Sequence, residues 1–175
     1  MAYKTIAKIS VMVLMAVLLL HSISHTLTDE QKVIMFQKPL VGLKGVQVLV
    51  EYMDPKAEGI GLTRDQIRTN VELRLRKAGI MVLTGKEMGE IPGRPIFYVN
   101  VNTLFLKQNP LIVYHIRLEL QEWVTLGRGF ETVGGIWNAS TTGVVGPKQI
   151  GKVRELVGDL VDEFINNYLA ANPKK

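Results

Sequence analysis

Two long segments of alternating polarity constrain this chain more than any other feature. Residues 96–106 and 111–124 switch between apolar and polar side chains along their length. Such a period of two marks a strand with one buried face and one wet face. With Lys107, Gln108, Asn109 and Pro110 as a hairpin loop, the segments pair antiparallel in a single register. Phe97 then faces Leu120, Val99 faces Leu118, Val101 faces Ile116 and Phe105 faces Ile112. On the opposite face Tyr98 meets Glu119, Asn100 meets Arg117 and Asn102 meets His115. A slip of one residue would set apolar against polar throughout, so the register is strongly specified.

The rest of the chain supplies partners for this hairpin. Gly45 opens an earlier strand, in which Val46, Val48, Val50 and Tyr52 alternate with Gln47, Leu49 and Glu51. Asp54-Pro55 ends it as a turn, and a flexible stretch over 56–61 follows. Thr63 and Gln66 form a capping pattern, after which Ile67, Val71, Leu75 and Ala78 make one helical stripe that stops at Gly79. Residues 80–83 read as a short strand. Residues 84–94 read as a loop with one helical turn at Lys86 to Met88. Residues 130–145 return antiparallel, with Trp137 on the apolar face and Asn138 on the polar one. Gly134-Gly135 points to a bulge or a close approach. Pro147 then introduces a long helix with an apolar stripe of Ile150, Val153, Val157, Leu160, Val161, Phe164 and Tyr168, closed by Asn172-Pro173.

The element order is strand, helix, four strands, helix. One apolar sheet face and two striped helices predict an α+β two-layer sandwich, with a mostly antiparallel sheet and both helices on one face. The other face stays open. Its candidate binding surface consists of the three polar pairs Tyr98 and Glu119, Asn100 and Arg117, Asn102 and His115, continued by Gln121 and Trp123. Aromatic, amide and guanidinium groups of this kind are common at interfaces.

The N-terminus has a different character. Tyr3, Lys4 and Lys8 precede an apolar run over 9–20, and Ser22-Ile23-Ser24 supplies small residues after it. This is the order of a secretory signal peptide, with the cut expected after Ser24. An uncleaved anchor is the alternative, but the run is short for a membrane span. The expected organisation is a signal peptide over 1–24, an extension over 25–44 and a single α+β domain over 45–173. Within the extension, Thr28 and Gln31 start a short helix. The expected location is periplasmic or secreted, with no membrane span left after cleavage.

Composition narrows the chemistry. The chain has 175 residues, a length that suits one domain, and no cysteine. Disulfides, thiolate metal sites, a cysteine nucleophile and a lipid-modified cysteine are therefore excluded. Removing Lys4 and Lys8 from the 21 Lys and Arg leaves only a small basic excess over the 16 Asp and Glu, too little for a nucleic-acid surface. Arg64, Arg68, Arg74, Arg76 and Lys77 crowd one helix, but Arg68, Glu72 and Arg76 are spaced to pair along its solvent side. Beyond the leader the histidines are His25 and His115, and the one serine is Ser140, which predicts neither a zinc site nor a triad. Glu119 and Glu122 point to opposite faces of one strand, the wrong geometry for paired carboxylates. Glu51 and Glu119 share a face without being forced together. Asp159, Asp162 and Glu163 read as solvated helix residues. No cofactor or metal is expected.

A resemblance adds to this reading. Leu43-Lys44-Gly45-Val46-Gln47-Val48-Leu49-Val50-Glu51 leads to Gly61-Leu62-Thr63 and to Val71-Glu72-Leu73-Arg74-Leu75-Arg76-Lys77-Ala78-Gly79-Ile80. Near the end come Leu160-Val161-Asp162-Glu163-Phe164-Ile165-Asn166-Asn167-Tyr168-Leu169 and Ala170-Ala171-Asn172-Pro173. Together these look like a widespread family of secreted bacterial proteins, from about Gly45 to Pro173. The element order also resembles the N-terminal domain of the periplasmic protein TolB and the activator lipoproteins of penicillin-binding proteins, which have an anticodon-binding-like fold. That resemblance implies an envelope interaction module. This chain departs from it in lacking the lipid-anchor cysteine. The expected function is a non-enzymatic, exported protein-interaction module with another envelope protein as partner. The alternative is a periplasmic protein that binds a small molecule or glycan, and a third is an enzyme using His115. On the first reading, Arg117→Glu or Trp123→Ala abolishes partner capture and leaves the fold intact.

Overall fold

The computed structural model describes residues 28–108 and 110–173. The expected signal peptide, its cut after Ser24 and His25 lie outside the described residues. The chain divides into two units, Met1–Lys32 and Val33–Lys175. In the first, α1 (Asp29–Lys32) begins at a reciprocal cap. The Gln31 amide donates to Thr28 Oγ1 at 3.2 Å, and the Thr28 amide donates to Gln31 Oε1 at 2.9 Å.

The second unit opens with a π-helical turn, Val33–Gln37, and a 3₁₀ turn, Lys38–Leu40. Then follow β1 (Gly45–Val50), α2 (Pro55–Gly59), α3 (Arg64–Lys77), β2 (Met81–Val82), α4 (Gly85–Glu90), β3 (Ile96–Phe105), β4 (Ile112–Thr125), β5 (Glu131–Val145) and α5 (Gly151–Ala171). The strands form one five-stranded sheet in the order β2-β1-β3-β4-β5. β3, β4 and β5 are antiparallel neighbours, while β1 runs parallel to both β2 and β3. The hairpin register is the one the alternation specifies, with Phe97 opposite Leu120 and Tyr98 opposite Glu119.

The core lies between the sheet and the two long helices. Ile67, Val71 and Leu75 of α3 are fully covered, as are Val153, Val161 and Phe164 of α5. Three aromatic rings lock α5 onto the sheet. Phe164 sits 4.7 Å from Phe97 and 5.0 Å from Trp137, centroid to centroid, with the tilted and edge-on geometries that aromatic quadrupoles favour. Trp137 therefore faces the core, as the alternation predicts. β5 carries a bulge beside it: Leu120 pairs with Trp137 and Gln121 with Gly135, so Ile136 is the extra residue. Further along, Tyr114 pairs with Gly143, and a Cβ at Gly143 would collide with the Tyr114 ring. Only glycine leaves room there for a ring that is almost fully covered.

Several local expectations change. Residues 55–59 are helical, not flexible. Asp54 Oδ1 accepts from the Lys56 amide at 2.8 Å, Pro55 opens the turn, and Ala57 is fully buried. One small apolar side chain amid Lys, Glu and Gly gives no readable period. Thr84 and Glu87 form a complete capping box, so the turn near Lys86 extends over Gly85–Glu90. Asp162 is no free surface carboxylate, because it pairs with Arg74 and ties α5 to α3. The Arg154 guanidinium adds a 3.1 Å bond to Gln66 Oε1 across the same two helices. The basic look of α3 is thus partly spent inside the fold. Arg76 pairs with Glu72 at 2.9 Å as the spacing predicts, whereas Arg68 Nε is buried without a partner.

The packed unit also begins upstream of Gly45. Leu40 is fully buried in the core. Asn172 at the end of α5 donates from Nδ2 to the Leu40 carbonyl and accepts from the Gly42 amide, each at 2.8 Å. The Tyr168 hydroxyl donates to the Leu43 carbonyl at 3.2 Å. The segment from Val33 onward is therefore part of the domain.

Candidate functional site

The face of the sheet opposite the helices is an ordered grid. Because neighbouring strands are in register, its side chains fall into rows across the sheet. One row runs Leu49, Tyr98, Glu119, Asn138. The next runs from Glu51, just past the end of β1, through Asn100 and Arg117 to Ser140; the Glu51 amide donates to the Val99 carbonyl at 2.9 Å and continues the β1–β3 ladder. Asn102, His115 and Thr142 form a third row, and Leu104, Val113 and Val144 a fourth. Beyond Glu119 on β4 come Gln121 and Trp123, opposite Gly135 and Val133. All of the sequence-predicted residues share this face.

Two carboxylates organise the polar rows. Glu51 accepts from the Tyr98 hydroxyl and from Asn100 Nδ2, and Asn102 Nδ2 donates onward to Asn100 Oδ1. These bonds, Tyr98 first and Asn100 second, hold the Glu51 carboxyl below its usual range. Burial and then the bond to Glu51 push the Tyr98 phenol up, with the nearby Glu119 charge adding to the effect. Glu119 is the second hub. It accepts from Arg117 and, at 3.0 Å, from Gln121 Nε2. Only 8% of Glu119 is exposed, and among the described residues it is the one buried charged residue. Removing its cation would strand a desolvated charge.

This arrangement revises the role of Arg117. Its guanidinium is half-exposed, but one arm is committed to Glu119. Arg117→Glu would set two carboxylates side by side and disturb the fold, so that substitution is unsuitable as a surface probe. His115 Nδ1 lies 2.9 Å from Thr142 Oγ1, and Ser140 sits in the neighbouring row opposite Arg117. The histidine's near hydroxyl is therefore that of a threonine, not Ser140. Among the described residues no group of His, Asp or Glu is placed to hold a metal ion, and no helix is long and apolar enough to cross a membrane.

The ends of the face are apolar and exposed. Leu104 is 62% and Val144 54% accessible at the hairpin end. Trp123 and Val133 are exposed at the other. The Arg94 guanidinium stands 5.8 Å from the Trp123 ring centroid, so one side of the indole is already covered by a cation. The candidate surface expected from the sequence leaves out Leu104 and Val144, and it leaves out Glu51 although Glu51 shares a face with Glu119. The parities of β1, β3 and β5 place all three here.

A separate concavity of about 240 Å³ lies among Pro39, Leu43, Ile91, Pro92 and Glu122. Glu122 points away from the open face, and burial pushes its carboxyl above the usual range.

No protein-family model and no curated protein sequence matches the chain. Among solved structures it is similar to the rare lipoprotein B from Shewanella oneidensis, at 10% identity and a TM-score of 0.36, over 71% of this chain and 94% of that one. A likeness of that size transfers no activity.

Proposed function

We propose that this chain is an exported, non-enzymatic interaction module of the cell envelope, and that it docks a protein partner on the open sheet face. The observation that carries the reading is the grid itself. Asn102, Arg117, Asn138, Ser140 and Thr142 leave the middle of this face exposed, and Tyr98, Asn100, Arg117 and Gln121 are fixed by Glu51 and Glu119 before any partner arrives. Side chains already held in place lose little freedom on binding, which favours association. Export is the reading of the leader pattern over 1–24.

The chemistry of the face defines the partner. Arg117 retains outward donors, so it faces acceptors on the partner. Leu104, Val144 and Trp123 supply exposed apolar anchors at both ends of the polar centre.

Site-specific photo-crosslinking in envelope preparations tests this. A photoreactive residue at Asn102 should trap a discrete protein, whereas one at Leu73 on α3 should not. Leu104→Ser and Trp123→Ala, at positions exposed and outside the carboxylate networks, should each cut the trapped yield roughly tenfold with little change in Tm. Equal trapping from both positions, or full yield from both variants, would remove the proposal. Thermal stabilisation by a cell-wall fragment without any trapped protein would favour the glycan alternative instead.

A further inference from the structure

β5 ends the sheet on its side, and the Val33–Gln37 and Lys38–Leu40 turns approach it without adding a strand. Among the described residues, no backbone hydrogen bond from outside the sheet reaches Glu131–Val145. Along such an edge, backbone N–H and C=O groups point outward without a protein partner. Folded proteins usually blunt an exposed edge with lysine, proline, a bulge or short length. β5 has its bulge at Ile136, but the ladder over 137–145 is regular and contains neither a charged residue nor proline. The ligand that matches an outward row of alternating donors and acceptors is another extended chain.

We propose that this extended chain is β5 of a second copy, joined antiparallel over 137–145 about a two-fold axis at Thr141. The midpoint of the regular stretch is Thr141, which makes that register the one of greatest overlap. It opposes residues of equal parity, so the helix-side residues of each copy meet helix-side residues of the other. On that side Trp137 meets Val145, Ala139 meets Gly143 and Thr141 meets itself. On the open side Ser140 meets Thr142, and Asn138 meets Val144. Hydroxyl pairs are favourable cross-strand neighbours, and no like charges oppose one another. The reversal also turns the Glu131 end of one strand toward Lys148 of the second copy, so the flanks attract. Each contact off the axis is made twice, as an isologous interface requires. An unrelated strand would satisfy the backbone but has no reason to satisfy this pattern of side chains. Joining the edges also makes the two open faces continuous.

The absence of native cysteine makes the test direct. Facing residues of an antiparallel pair have Cα atoms about 4.5–5.5 Å apart, a separation that suits a disulfide. Protein recovered from expression of the full chain carries either Thr141→Cys or, as a control, Leu73→Cys on the exposed side of α3. Under mild oxidation the Thr141→Cys protein should form a disulfide-linked dimer roughly tenfold faster than the control, as expected for cysteines held at bonding distance. Sedimentation velocity should show the unaltered protein as a dimer. Asn138→Lys/Ser140→Lys, at exposed positions with no side-chain bond within the chain, should be monomeric. A monomeric unaltered protein with no rate advantage at Thr141, or a dimer that the lysine pair leaves intact, would overturn the proposal. Cross-linking of Thr141→Cys to a different protein would do the same and would assign the edge to a heterologous strand.

Discussion

The phenol of Tyr98 donates to Oε2 of Glu51, an acidic residue one step beyond the end of β1. The bond crosses from β1 to β3 and fixes both groups on the open face.

Opposite pKa shifts of the two partners set a pH window. Glu51 titrates below its usual range, so its contribution is present above the unfolded value and lost as pH falls through the folded one. Tyr98 titrates above its usual range, so its contribution is present below the unfolded value and lost as pH rises through the folded one. Glu51→Gln should shift the Tyr98 titration downward toward the ordinary phenol value, short of it because burial remains. Phenolate absorbance during alkaline titration, referenced to Tyr98→Phe, reads the shift. An unmoved titration would mean that burial alone sets it.

Arg117→Ala should destabilise the fold by about 1–3 kcal/mol, the scale for a buried group left without its charged partner. Glu119 would keep only Gln121. Arg117→Ala/Glu119→Gln should recover much of the loss in denaturant unfolding, because the stranded charge is gone.

At Glu122 the expected sign is reversed from that of Glu51. Its folded pKa is raised, so stability falls as pH rises through the carboxylate range. Glu122→Gln should therefore raise Tm at neutral pH, and the advantage should vanish in acid where both forms are neutral. A Tm difference independent of pH would assign the effect to packing.

Gly143→Ala should cost about 1–3 kcal/mol, the range for overpacking a filled site. The new methyl would meet the Tyr114 ring. Tyr114→Leu should relieve part of that cost in the double variant, and additive losses would show that the ring is not the obstacle.

Much of this architecture is legible in the chain. The β3–β4 register follows from alternation on both strands, since one slip would bury Asn100 and expose Val101. Trp137 inside and Asn138 outside follow from the same parity. The parallel β1–β3 pairing is not legible, because alternation fixes faces and not neighbours. Nor is the burial of Glu119. An acidic residue on a wet face reads as solvated, but the flanking Arg117 and Gln121 side chains bond to it and Gly135 lies close to it. Leu40 escapes notice because its turn precedes the first strand and has no period of its own. For the candidate site, the sequence places the eight predicted residues on one face but gives no sign that the polar ones are bonded to each other rather than to water.

The two rims of the sheet differ in length, and that difference decides what kind of assembly is reachable. β2 offers only Met81–Val82, too little ladder to recruit another strand, whereas β5 offers fifteen residues. A sheet with two long rims can add copies without limit and grow into a fibre. This one has a single adhesive side, so the pairing that uses it also terminates growth at two.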